Sequence, residues 1–233
     1  MNTATLQERA RHAKSIARRV TETEGQQLLA GATEELAKAL KDEAGRVRET
    51  VGALNELGQS DALGDLPDTA AVAIDAARAL LAEQTTEHLN KAREAHRYLR
   101  SRVEDVRTTA ANSWTAHREA NPRPSIDETY LAQLARAGFD VAAIESTVAT
   151  SEGRLELLGN RVIPQAGELD EWDRHVALLR DASRDVAELA PPELRAFLSA
   201  AVGGGASMEL LTPEVLRFLN DRGLAPSFKV VRR

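Results

Sequence analysis

Residues 40–54 read LKDEAGRVRETVGAL, and their apolar members decide the fold class. Leu40, Ala44, Val47, Val51 and Leu54 follow one another at steps of four, three, four and three. Side chains so spaced lie on one stripe of an α-helix, and a stripe repeating about every 3.5 residues is a coiled-coil seam. The rhythm is already present upstream at Leu6, Ala10, Ala13, Ala17 and Val20, lapses at Glu24, Gly25 and Gln27, and resumes at Leu29 and Leu36. One long helix, interrupted near Gly25, is therefore expected over residues 4–57. Gly31, Gly45 and Gly52 lie inside it, each less favourable than Ala by about 1 kcal/mol, so tertiary packing has to hold the helix together.

A turn region follows at residues 58–68, with Gly64 and Pro67 as breakers and Asp68 placed to cap the next helix. The second seam runs through Ile74, Leu81, His88, Ala92, Ala95 and Leu99. It continues through Val103, Val106 and Ala110, with Trp114 one place out of step. Two seams of matched length around a turn predict an antiparallel coiled-coil hairpin over residues 1–120, each arm about 75 Å long. Folding back near residue 63 would set Gly25 opposite Ser101, where the second seam also stutters. The alternative is a three- or four-helix bundle with residues 25–31 as a true loop.

Asn121-Pro-Arg-Pro-Ser125 is the clearest boundary, because two prolines forbid helix continuation. Beyond it, residues 125–233 read as a C-terminal helical domain. Ser125-Ile-Asp-Glu128 resembles a capping box opening a helix that stops near Gly138. Asp140 opens another, with Val141, Ile144, Val148, Leu155, Leu158 and Val162 on its stripe. Leu169, Trp172, Val176, Leu179, Val186 and Leu189 mark a third. A short helix follows Pro191-Pro192 and stops at residues 203–205, three consecutive glycines. Thr212-Pro-Glu-Val215 supplies a cap, a proline at the first helical position and an acid in the first turn, and Gly223 is the stop. Phe228-Lys-Val-Val231 has the composition of a short C-terminal β-strand. The fold class expected is all-α, with that one strand.

Composition narrows the function classes. The 233 residues are 42% hydrophobic but only 3% aromatic, which suits thin helix-on-helix cores of alanine and leucine. The net charge of −6, with acids and bases interspersed, argues against a general nucleic-acid binder. The absence of cysteine excludes disulfides, thiolate catalysis and zinc–thiolate sites. No apolar run approaches the roughly 20 residues of a membrane span, and residues 1–19 lack the hydrophobic centre of a secretion signal. A cytoplasmic, bacterial protein is expected, since arginine outnumbers lysine heavily in an alanine-rich chain.

The polar residues contain no recognisable catalytic pattern. None of His12, His88, His96, His117 and His175 pairs with another on one helical turn. Glu171 and His175, four apart, could share a metal, but such spacing is usually a surface contact worth a few tenths of a kcal/mol. His88 falls on the seam, where a polar residue can set register. Residues 203–205 precede a helix, yet no Lys-Ser or Lys-Thr follows, so a hinge is expected and not a phosphate loop. Arg18, Arg19, Arg100 and Arg102 are expected to join salt links across the hairpin. Arg217, Arg222, Lys229, Arg232 and Arg233 make the end of the chain locally basic.

The stretch Met208-Glu-Leu-Leu-Thr-Pro-Glu-Val-Leu-Arg-Phe-Leu-Asn-Asp-Arg-Gly-Leu224, followed by Phe228-Lys-Val-Val231, resembles the C-terminal end of the large P-loop ATPases of bacteriophage-exclusion (phage growth limitation) systems. The resemblance covers about the last 40 residues and implies a non-catalytic relative in a phage-defence complex. No Walker A motif is present, so no ATPase activity is implied. The expectation is a non-enzymatic coiled-coil scaffold that binds a protein partner, with homo-oligomerisation open and neither cofactor nor metal. Its interface residues would be Phe218, Leu219, Arg217, Arg222 and Lys229. The alternative is an accessory nucleic-acid-binding role for the basic tail, where Lys and Arg would meet phosphate.

Overall fold

A computed structural model describes residues 3–189, 192–202 and 205–228. The described residues contain eight α-helices and no strand. The chain divides into two units, Met1–Trp114 and Thr115–Arg233.

The first unit holds α1 (Thr3–Glu56), α2 (Leu66–Ala82) and most of α3 (Thr86–Ala120). α1 runs unbroken through Gly25, so the expected interruption does not occur. A glycine in helical φ/ψ costs only about 1 kcal/mol and breaks a helix only when another signal joins it. The break falls instead at residues 83–85, inside what the seam presents as one arm. Thr85 makes it: its Oγ1 accepts from the His88 backbone N–H at 3.2 Å, an N-cap contact.

Three helices therefore stand where two arms were expected, and the pairings give their directions. Arg46 bonds Glu104, and one turn further along both helices Glu49 meets Arg107 at 3.6 Å. Partners that advance together mean that α1 and α3 run parallel. Arg102 reaches back to Asp65, just before α2, at 2.6 Å, while Leu80 near the end of α2 packs with Leu89 near the start of α3. α2 is thus antiparallel to α3. Leu36, Leu80, Leu89 and Ala92 form a cluster to which all three helices contribute. The unit is an up-down-up bundle, and the one-to-one facing of two arms is replaced by this three-way packing.

The inward stripe of α1 passes through Thr33, Leu36, Leu40, Glu43, Val47, Thr50 and Leu54 at alternating steps of three and four, with Leu40 and Val47 half-buried and the others buried. Ala44, chosen from its hydropathy, is exposed, and Glu43 beside it is buried. The polar members are satisfied locally. Thr33 and Thr50 each donate to the carbonyl four residues earlier at 2.8 Å, and Glu43 meets Arg46 at 3.4 Å. α2 is shifted by one residue from its expected face: Ala73 and Leu80 are buried, Ile74 and Leu81 exposed. His88 is half-buried, the buried seam position being Leu89 beside it, and its Nδ1 lies 3.0 Å from the Glu83 carbonyl. Ala92, Leu99, Val103, Val106, Ala110 and Trp114 are buried.

The second unit is built on α5 (Ala142–Gly159) and α6 (Glu168–Leu189). Ser151 meets His175, Arg154 meets Glu171 and Arg161 meets Glu168, so partners move apart evenly from the connection and the pair is antiparallel. α4 (Glu128–Arg136) packs on α7 (Pro192–Val202) and α5, and α8 (Pro213–Asp221) packs on α7. Asp127, not Ser125, caps α4, accepting from Tyr130 N at 3.0 Å. Thr212 caps α8 as expected, accepting from Val215 N at 3.3 Å, and Gly223 ends it at φ 68°. The expected C-terminal strand is absent up to Phe228, which is extended and meets Phe197 edge to face at 5.2 Å. Residues 229–231 lie outside the described residues, as do Gly203 and Gly204 of the expected hinge.

Candidate functional site

α8 has the sequence PEVLRFLND. Its apolar positions Val215, Phe218 and Leu219 are three and four apart, so one face turns inward. Leu219 is only 1% exposed and belongs to the core of its own unit. Phe218 is half-buried and stacks on Phe139, with ring centroids 6.1 Å apart. The Arg222 guanidinium sits 5.4 Å from the Phe218 ring, a cation–π contact worth about 0.5–1 kcal/mol at an exposed site. Arg217 is exposed. Lys229, Arg232 and Arg233 lie outside the described residues. Over residues 208–228, Glu209, Glu214 and Asp221 outnumber Arg217 and Arg222, so this part of the tail has no basic excess. Phe218 and Arg222 come together, while Leu219 and Arg217 stand about 100° around the helix on either side of Phe218, the one buried and the other exposed.

A second cluster lies between α5 and α6. Arg154 grips Glu171 with two bonds of 2.7 Å, a bidentate pair. Glu171 is held below the usual carboxylate range, chiefly by the Arg154 hydrogen bonds and against some desolvation. One turn on, His175 is 8% exposed, with Nδ1 3.2 Å from Ser151 Oγ and Nε2 4.0 Å from Glu171. Burial, reinforced by the charges of Arg174 and Arg154, lowers its pKa. Ser, His and a carboxylate in this order suggest nucleophilic chemistry, but Ser151 is buried inside the helix pair, where no substrate reaches it. Glu171 spends its oxygens on arginine, and no cluster of three or more metal-ligating side chains occurs among the described residues.

A cleft of about 800 Å³ lies among Ser125, Asp127, Tyr130, Ser183, Val186 and Arg195. Two of its charges, Asp127 and Arg195, are engaged with each other. Arg195 bonds Asp127 and lies 5.0 Å over the Tyr130 ring. The Tyr130 backbone N–H, aided by Arg195, holds Asp127 below its ordinary pKa, while burial raises that of Tyr130. This arrangement joins α4 to α7.

The feature of the first unit that packing leaves over is the early part of α1. Every residue from Arg11 to Leu28 is exposed. Ile16 and Val20 are each 50% exposed and Leu28 76%. Ala13, Ile16, Ala17 and Val20 fall within an arc of about 100°, with Arg11, Lys14 and Arg18 on the opposite side. The bundle's apolar cluster reaches back along α1 only as far as Leu29. The seam rhythm of Ala13, Ala17 and Val20 was legible in the sequence. That nothing in the first unit covers it was not, because an uncovered seam and a covered one have the same spacing. No helix among the described residues is long and apolar enough to cross a membrane. No protein-family model, no characterised protein and no solved structure matches this chain.

Proposed function

We propose that the chain is a non-enzymatic helical interaction protein that engages its partner through the exposed arm of α1. The observation that carries this reading is the solvent exposure of helix residues 11–28, with the apolar stripe Ala13, Ile16, Ala17 and Val20 on one side. A helix in a protein draws most of its stability from packing an apolar face, and this segment packs none within its unit. Here one i,i+4 ion pair supports it, Arg18 with Glu22 at 2.9 Å, while Gly25 opposes it. Alanines at positions 13 and 17 let another backbone approach closely, which suits a partner helix better than a flat surface. The likeness of residues 208–231 to the ends of phage-exclusion ATPases supports a place in a bacterial defence complex. A nucleic-acid-binding tail is the weaker reading, because its positive charge rests on Lys229, Arg232 and Arg233.

The test replaces Ile16 and Val20 by Glu in the full chain. Both side chains are half exposed, so the melting temperature should stay unchanged while the proteins that co-purify with the native chain from its host are lost. Retention of the same proteins at the same ratio would defeat the reading.

A further inference from the structure

We propose that the α5–α6 pairing of the second unit is an acid-released latch whose titrating part is the His175 imidazole. The geometry around the ring points this way. His175 is buried in the seam between the two helices, and the groups that face it come from both. From α5 come Ser151, at 3.2 Å from Nδ1, and Arg154. From α6 come Glu171, at 4.0 Å from Nε2, and Arg174. The end of α3 also lies beside α6, where His117 Nε2 meets Asp173 at 2.9 Å.

The neutral ring fits these surroundings. Its Nδ1 can accept from the Ser151 hydroxyl, and its other nitrogen faces a carboxylate too distant for a hydrogen bond. The imidazolium does not fit. Its one nearby anion, Glu171, is already held by two bonds from Arg154 and lies 3.6 Å from Arg174. A proton on His175 would add a third positive charge around a single carboxylate, away from bulk water. The favourable response is to separate the helices and hydrate the ring. That exposes the apolar faces they share, which include Val148 and Leu155 on α5 and Val176 and Leu179 on α6.

The sign follows from linkage. A histidine whose folded pKa lies below its unfolded value lets the unfolded chain bind the extra proton first. Stability is then full above the unfolded value of about 6.5 and falls as the pH drops below it. The bound on the effect needs no folded value. If His175 stays neutral in the folded chain at pH 5, protonation of the unfolded chain multiplies the unfolding constant of this unit by up to about 30-fold.

The experiment uses the full chain and His175→Gln, which keeps a hydrogen-bonding group near Ser151 but cannot titrate. Two measurements are made between pH 7.5 and 5.0. One is the titration of the histidine Cε1–H resonances by NMR. The other is amide hydrogen exchange in α5 and α6, corrected for the pH dependence of intrinsic exchange. The expected result is that His175 titrates below the unfolded value of about 6.5, that α5 and α6 lose protection together below about pH 6, and that His175→Gln removes most of that loss. A His175 resonance titrating at or above about 6.5, or an acid loss unchanged in the variant, overturns the proposal. Should His175→Gln not fold, the wild-type titration and exchange decide alone: unchanged protection of α5 and α6 at pH 5 overturns it.

Discussion

Glu43 is a carboxylate in the seam of α1, its side chain 5% exposed, and its cationic neighbour is Arg46 one turn away. Replacing Arg46 by Met would keep a long apolar stem but leave Glu43 buried without its ion pair. The arginine also bonds Glu104 of α3, so the same change removes a link between parallel helices. Losing one partner of a fully buried pair costs about 3–5 kcal/mol. Arg46 is 32% exposed and both of its contacts to Glu43 are long at 3.4 Å, so the expected cost is nearer 2 kcal/mol. Glu43→Leu should be neutral or stabilising by about 1 kcal/mol, because it puts an apolar side chain at a seam position between Leu40 and Val47. In that background Arg46→Met should cost well under 1 kcal/mol. The cycle is measured by urea unfolding followed by Trp114 fluorescence, with Trp172→Phe present throughout so that the signal reports the first unit. If Arg46→Met costs the same with and without Glu43, the carboxylate is not buried against it and the assigned seam of α1 is wrong.

Three further outcomes follow from the same structure. Leu219→Ala should destabilise the second unit by about 2–5 kcal/mol in thermal unfolding, whereas Ile16→Ala should stay within about 0.5 kcal/mol; similar values would contradict the contrast between a core residue and an exposed arm. Gly138 sits at φ 90°, and a Cβ there would lie 3.2 Å from Leu224, so Gly138→Ala should cost about 1–2 kcal/mol and loosen the tail against α4, read as faster proteolysis after Arg222. Cysteines placed at Arg46 and Glu104, in a chain that has none of its own, should be joined within one molecule by a short bismaleimide; linkage instead between positions 46 and 80 would restore the two-arm hairpin.

Part of this was legible from residue order, and the limits have identifiable causes. The stop and start signals of α8 needed only local chemistry: a threonine to accept one N–H, a proline where no N–H is required and a glycine able to take positive φ. From Ala92 to Ala110 most of the buried face of α3 was legible for the same kind of reason, since its inward positions are apolar, but its first member is Leu89 and not His88, and Ala95 is only half-buried. Reading the α1 seam by hydropathy failed at Glu43 and Thr50. A threonine that returns its hydroxyl to its own helix, or a glutamate paired one turn away, occupies a buried position without appearing apolar. Glu171 with His175 was noticed as a spacing on one helix. Ser151 and Arg154, which give that spacing its chemistry, come from another helix about twenty residues earlier.

The sequence by itself determined that the chain is helical, where most helices begin and end, and that thin alanine-and-leucine seams hold them together. These follow from φ/ψ preferences and from the 3.6-residue period, both properties of neighbouring residues. Tertiary structure decided that α1 and α3 run parallel with α2 between their ends, and that Ala73 and Leu80 face inward where Ile74 and Leu81 face out. It also decided that the stripe of Ala13, Ile16, Ala17 and Val20 is uncovered, while the stripe that begins at Leu29, about half a turn around the helix from Val20, is packed. An apolar period states that a face can be buried. Which surface buries it depends on long-range pairing energies spread over many weak contacts, and no single stretch of the chain contains them.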